Sequence, residues 1–169
     1  KLTDIFPTDE ALKRWAAGLF DGEGSITIQP RSRYGLYTSI VNSAQVIIDI
    51  FEARWKGSRN TFMHAGTSKT GGYIAQRDVE QLTFTRKDRE ILLQDLYPFL
   101  VAKKKQAALA LEYIETVREL RKMRPGQRMT APELAFRKNA CEEMKALNHG
   151  ERLQVEVKPK PKPRTLQLL

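Results

Sequence analysis

The 169-residue sequence holds one cysteine, Cys141, and two histidines, His64 and His149. A single thiol excludes an intramolecular disulfide framework and a cysteine-rich zinc site, and two histidines argue against a multi-histidine metal centre. No apolar run approaches the roughly 20 residues that cross a bilayer, so no membrane partner is expected. No Gly-x-Ser-x-Gly, Walker A or Gly-x-Gly-x-x-Gly sequence occurs, which removes the usual signals for a serine nucleophile or a small-molecule nucleotide cofactor. The first residues, Lys1 to Arg14, carry charges throughout and lack the apolar centre of a signal peptide, so an intracellular protein is expected. Acidic residues are also in deficit: 29 Lys+Arg stand against 20 Asp+Glu, a formal charge of +9. That excess favours a polyanionic partner without specifying any chemistry.

What is present suffices for one domain. Apolar residues make up 41% of the chain, enough for a core. The expected division is a single domain over residues 1–150, with a helical C-terminal part from about 103, followed by a tail over 151–169. In that tail Lys158-Pro-Lys-Pro-Lys-Pro-Arg164 alternates charge with proline and reads as extended chain, either a solvated terminus or an accessory phosphate-binding arm.

A first helix is expected from Asp9 to Asp21, with Thr8 as N-cap and acidic residues in the first turn. Leu12, Trp15, Ala16, Leu19 and Phe20 share one apolar face, while Ala17, Gly18 and Asp21 make the opposite side small or acidic. The bulky side can seal a core; the small side lets another backbone approach closely. The period then changes to two. In Ser25–Arg31, Ile26 and Ile28 face inward, and Ser25, Thr27, Gln29 and Arg31 face out. A second strand over Leu36–Val41 turns Thr38 and Ile40 inward and Tyr37 and Ser39 outward. Asn42 or Ser43 then caps a helix to about Lys56, with Val46, Ile47, Ile50 and Phe51 apolar. A second hairpin pairs Ser58–His64 with Tyr73–Thr85 across a loop holding Gly66, Gly71 and Gly72. Further helices are expected over Lys87–Tyr97, Lys103–Lys122 and, from the capping box Thr130-Ala-Pro-Glu133, to about Asn148. Arg137, Lys138 and Lys145 are expected on solvated faces of these helices, and Cys141 as a packing residue.

Hairpins alternating with helices specify an α+β fold with an antiparallel four-stranded sheet, covered by helices on one face. The uncovered face is polar and basic: Ser25, Thr27, Gln29, Arg31, Tyr37, Ser39, Arg77, Gln81 and Thr83. Such side chains read base edges, and a strand of about nine residues at roughly 3.4 Å per residue spans about nine base pairs. The risk lies in the register, since a one-residue slip inverts the set.

Asp21-Gly22-Glu23-Gly24 places two carboxylates at the end of the first helix, an unfavourable position by about 0.3–1 kcal/mol each against the helix dipole. An acidic helix cap accounts for them; so does an oxygen-ligand site for a hard divalent cation, in which glycine lets a backbone carbonyl approach.

Trp15-Ala-Ala-Gly-Leu-Phe-Asp-Gly-Glu-Gly-Ser25 resembles the LAGLIDADG motif of homing endonucleases, with Ala16 to Gly24 matching its nine letters. Ala16 replaces the first Leu, Phe20 the Ile and Glu23 the last Asp. Pro98-Phe-Leu-Val-Ala-Lys-Lys-Lys-Gln-Ala107 is similar to the segment that supplies the active-site lysine in single-motif members. The resemblance, over about residues 8 to 148, implies the αββαββα fold with a saddle-shaped sheet and extra C-terminal helices. It implies Glu23 and the Gly22 carbonyl as ligands of Mg²⁺ (with Mn²⁺ or Ca²⁺ able to occupy the same sites). Asp21 would orient the helix end, Lys103 assist catalysis electrostatically, and Asn42 stand near the residue that organises solvent. With a single motif, two copies would meet through Ala17, Gly18 and Asp21, giving a homodimer that cuts both strands of a pseudo-palindromic double-stranded DNA target. The resemblance leaves open an organelle (chloroplast or mitochondrion) or a prokaryotic or phage cytoplasm. The competing reading is a non-cleaving module on the same scaffold, an RNA maturase or a DNA-binding regulator. A basic structural protein would leave the Asp21-Gly-Glu-Gly24 helix end unexplained.

Overall fold

Thr8 starts the first helix as its sequence requires: its hydroxyl accepts from the Ala11 N–H at 3.0 Å, satisfying one of the donors a helix leaves free. In the computed structural model, which describes residues 5–66, 77–122 and 128–150, this helix is α1 (Asp9–Glu23). There follow β1 (Gly24–Gln29), a 3₁₀ turn (Pro30–Ser32), β2 (Gly35–Asn42), α2 (Gln45–Trp55), β3 (Ser58–Met63), β4 (Val79–Phe84), α3 (Arg86–Leu96), α4 (Lys104–Lys122) and α5 (Ala131–Gly150). The expected tail over 151–169, Gly71 and Gly72, and the start of the fourth strand at Tyr73 lie outside the described residues. Among the described residues no helix is long and apolar enough to cross a membrane.

The four strands form one sheet in the order β1-β2-β4-β3, every pairing antiparallel. The expected α+β class is therefore the observed one. Register decides which residues share a face. Gly24 pairs with Ile40, Ile40 with Leu82, Ile26 with Thr38 and Thr38 with Phe84. Ile26, Thr38, Ile40, Leu82 and Phe84 are all buried, so this is the covered face, and the inward parity read for β1 and β2 holds. Phe20 of α1, Phe51 and Trp55 of α2, and Leu92, Leu93 and Leu96 of α3 pack on it in one core. The strands run six to eight residues, shorter than nine, so the longest spans about 27 Å, or about eight base pairs.

Asp95 of α3 fastens three helices. It accepts from the Trp55 indole at 3.0 Å and pairs with Lys13 of α1 and Arg54 of α2, each at 2.8 Å. At the other side of the sheet α5 closes the open edge of β1: the Cys141 thiol donates to the Ile28 carbonyl at 3.1 Å, and the Asn148 amide to the Ile26 carbonyl at 3.0 Å. An edge strand covered in this way cannot template further pairing. Cys141, fully buried, is the packing residue expected of it, and burial pushes its thiol pKa up.

Several expectations need correction. Arg31 lies in the 3₁₀ turn after β1, because Pro30 cannot donate to a ladder. Arg77 precedes β4 and belongs to no strand. Asn42 does not cap α2; its side-chain oxygen accepts from the Ala44 N–H at 2.8 Å and turns the chain off the end of β2, while Ala44 stands at the N-cap. In α2 Ile48 is buried and Val46 is 57% exposed; five apolar residues between 46 and 51 blur the helical phase. Arg137 is buried, not solvated. Its guanidinium holds Glu133 at 2.9 and 2.6 Å and the Tyr113 hydroxyl at 3.1 Å. Thr130 does cap α5, accepting from the Glu133 N–H at 3.3 Å, while the Glu133 carboxylate serves Arg137.

The Thr38 hydroxyl is fully buried and has no hydrogen-bond partner among the described residues. An unsatisfied buried hydroxyl costs about 1–3 kcal/mol, and valine has nearly the same shape. Thr38→Val is expected to raise unfolding free energy by about 1 kcal/mol in denaturant titration; a destabilised variant would show that the hydroxyl has a partner in solution.

Candidate metal centre and nucleic-acid interface

The helix dipole of α1 ends at Glu23, two residues beyond the expected stop, because glycine at 24 lets the chain turn straight into β1. A Cβ at Gly24 would come within 2.5 Å of both the Phe20 ring and the Phe20 carbonyl, so no side chain fits there. The Gly24 N–H closes the last helical bond, to Phe20. The carbonyls of Asp21 and Gly22 are thereby left without a helical donor.

Lys103 takes the first of them. Its ammonium donates to the Asp21 carbonyl, while the Asp21 carboxylate receives the backbone N–H of Val101 at 2.7 Å and of Lys103 at 2.8 Å. Asp21 therefore does more than cap its own helix: it clasps the segment between α3 and α4 against the end of α1. The lysine also opposes the negative end of the α1 dipole, which offsets the unfavourable placement of the carboxylates. The carbonyl of Gly22 and the exposed carboxylate of Glu23 stand beside it. Burial pushes the Lys103 pKa below the ordinary 10.5, and the charges of Asp21 and Glu23 oppose that shift only in part.

This shift has a thermodynamic sign. Below its folded-state pKa the buried ammonium is charged at a cost; as pH rises through that value towards 10.5, the native state sheds its proton before the unfolded chain does. Stability should gain over that interval. Lys103→Met is expected to remove this alkaline gain in denaturant titrations between pH 7 and 10; an unchanged pH profile would contradict it.

Asn42 reaches the same end of the sheet. Because Gly24 pairs with Ile40, the end of β2 at Asn42 lies alongside the α1–β1 junction. Lys103 and the Gly22-Glu23 end of α1, far apart in sequence, thus meet at one corner, and the end of β2 at Asn42 lies at the same end of the sheet. Among the described residues no three His, Cys, Asp or Glu side chains gather closely enough to hold a cation by themselves. The available donors are one exposed carboxylate and one free carbonyl, both oxygen, which suits a hard divalent ion with further ligands supplied from outside.

The uncovered sheet face carries most of the expected side chains. Ser25, Ser39, Thr83 and Ser58 form one row across all four strands; Val41, Gln81 and Asn60 form the next, and Thr27 pairs with Tyr37. Gln29, the last residue of β1, keeps the same parity. All are exposed or half-buried, and the Gln81 amide donates to Ser39 at 3.2 Å. Ser58 and Asn60 were missed, since β3 has no apolar alternation to reveal its parity. Its inward Arg59 is held by Asp49 and Glu80, each at 2.6 Å, instead of by a core. Arg31 and Arg77 lie beyond the strand ends, outside these rows.

The small side of α1 also needs correction. Ala17 is fully buried in the single chain and cannot meet a second molecule. Gly18 and Gly22, four residues apart, are exposed, and a Cβ on either would meet nothing within 4 Å. Asp21, half-buried, is engaged with the Lys103 segment.

No protein-family model and no curated protein matches the chain by sequence. Solved structures do match. The homing endonuclease I-CvuI, crystallised with its target in the presence of calcium, superposes with a TM-score of 0.58 at 16% identity, over 85% of this chain and 86% of that one. The archaeal intron-encoded homing endonuclease I-Vdi141I, complexed with DNA, gives 0.59 at 12% identity over 85% and 88%. This is the fold of the LAGLIDADG homing endonucleases. A second I-CvuI complex, with magnesium present and its DNA uncleaved, matches at 0.56 and 16%. The likeness in fold thus extends over 83–85% of the chain.

Proposed function

We propose that this chain is a site-specific DNA endonuclease that acts as a homodimer and requires a divalent metal, Mg²⁺ in the first instance. The observation that carries the reading is the clasp between Asp21 and the Lys103 segment. It brings a partly desolvated lysine to the one helix end where a carboxylate and a free carbonyl face solvent. A protein that only bound nucleic acid would need neither the buried cation nor the acidic helix end.

In this reading Glu23 and the Gly22 carbonyl hold the ion. When bound, it would lower the pKa of water and neutralise charge at the phosphate under attack. Lys103 stabilises the charge that develops on that phosphate. Asn42 positions a water at the same corner. Ser25, Thr27, Gln29, Tyr37, Ser39, Gln81 and Thr83, joined by Ser58 and Asn60, face the major groove, glutamine suiting adenine. Arg31 and Arg77, beyond the strand ends, suit backbone phosphates, which position the protein without reading sequence.

One helix end supplies too few ligands and one reaction centre. Two α1 helices meeting through Gly18 and Gly22 would set two Glu23 carboxylates side by side, one for each DNA strand. Incubation with a randomised duplex library, with and without Mg²⁺, tests the reading. Double-strand breaks that need the metal are expected; tight binding without breaks in Mg²⁺ or Mn²⁺ would replace it with a non-cleaving module.

A further inference from the structure

Strand β2 runs past the end of β4. Phe84, the last residue of β4, pairs with Thr38, so Gly35, Leu36 and Tyr37 have β1 on one side and, among the described residues, no strand on the other. The start of α3 folds into this gap. It brings Arg86, Lys87 and Arg89 to a cavity of about 480 Å³ whose apolar wall includes Leu36, Ile114 and Val117. This notch lies at the opposite end of β2 from Asn42 and so is separate from the Glu23 corner.

The other three arginines of the notch each have a carboxylate partner: Arg118 pairs with Glu90, Arg137 with Glu133 at 2.6 Å, and Arg121 with the same Glu133 at 3.7 Å. Among the described residues no ion pair joins Arg86, Lys87 or Arg89 to a carboxylate. Arg89 is half-buried, and its hydrogen bond runs from Nε to the Phe84 carbonyl at 3.4 Å, leaving its terminal N–H groups without an acceptor among the described residues. Burial lowers its pKa, with the nearby Tyr113 and Tyr37 opposing the shift. A desolvated guanidinium beside two unpaired cations is a charge arrangement that an anion would complete.

We infer that this notch binds a phosphate group, gripped by Arg89 from within and by Arg86 and Lys87 at the rim. Phosphate fits better than a carboxylate because it offers several oxygens and more than one negative charge to three converging cations. Phosphate chemistry has two sources here: a free phosphate ester, or a backbone phosphate of DNA lying on the adjacent sheet face, where Tyr37 is exposed. The DNA source rests on the endonuclease reading; the free-phosphate source does not.

The test compares the full chain with its Arg89→Gln variant in two measurements. In the first, thermal unfolding is followed in sodium phosphate and in sodium chloride of equal ionic strength. Inorganic phosphate about five-fold above its dissociation constant should raise the wild-type midpoint by about 2–4 °C and leave the variant unmoved. In the second, binding to a random-sequence duplex is measured against salt concentration. The wild-type slope of log affinity on log salt should be steeper by about one per notch if the backbone is the source. Loss of phosphate stabilisation with an unchanged slope assigns a free phosphate ester. Wild type and variant behaving alike in both measurements would overturn the inference. Should Arg89→Gln fail to fold, the double variant Arg86→Gln/Lys87→Gln, confined to the exposed rim, gives the same readings. Absence of metal-dependent cleavage would sink the endonuclease reading while leaving the phosphate measurement intact.

Discussion

Glu23→Gln is expected to lower DNA cleavage at least about 100-fold while leaving the affinity for duplex DNA within about three-fold of wild type. The substitution removes one negative charge and almost no volume. Even residues that merely support a metal ligand contribute about 10–100-fold in affinity or activity, so losing the one exposed carboxylate of the centre should do at least as much. Affinity should survive because the sheet face and surrounding cations, not Glu23, carry the DNA contacts in this reading, and a carboxylate beside phosphates repels them. The fold should survive as well: Glu23 is exposed at the helix end, and glutamine keeps its length and helix propensity. Single-turnover cleavage and gel-shift titration in parallel measure the two quantities. Cleavage at the wild-type rate would remove Glu23 from the metal centre.

In the proposed homodimer, Gly18→Leu should separate the two protomers without unfolding either. In the single chain a side chain at this position meets open space, and replacing a mid-helix glycine should itself stabilise α1 by about 0.5–1 kcal/mol. The same side chain would hold two α1 helices apart, since close packing across a symmetry axis needs the bare backbone of Gly18 and Gly22. Sedimentation should therefore report half the wild-type mass, and thermal unfolding a monomer that remains folded. Double-strand cleavage should vanish with the dimer. A Gly18→Leu protein that sediments as a dimer would place the interface elsewhere.

Where the apolar pattern was strict, the sequence was sufficient. Ile26, Ile28, Thr38 and Ile40 recur at every second position, and their inward parity fixed five side chains of the opposite face, Ser25, Thr27, Gln29, Tyr37 and Ser39. Thr8 and Pro98 likewise marked helix boundaries that the structure keeps within a residue or two. Pattern failed where burial does not follow apolarity. Strand β3 is oriented by the ion pairs of Arg59, so Ser58 and Asn60 gave no sign of their face. Ala17 is small enough to suit either an interface or a core, and its neighbours could not decide between them; in the structure it packs inside. Arg137 was recoverable in principle, since Glu133 lies four residues before it on the same helix face.

The corner itself was legible only in part. Glu23 and Lys103 were found through motif and segment resemblance, but the link between them was not. Asp21 reaches across 80 positions to the backbone of Val101, and backbone amides leave no trace in side-chain identity. That clasp is a tertiary feature, and it separates the two carboxylates of the motif: Asp21 builds the corner, while Glu23 is left exposed to solvent.

Sequencing both ends of every fragment cut from a randomised duplex library in Mg²⁺ tests the central claim most directly. Two identical centres across a two-fold axis predict paired breaks, one on each strand, at a constant offset and centred on a pseudo-palindrome. Breaks confined to one strand, or paired breaks with no symmetry about their midpoint, would contradict it.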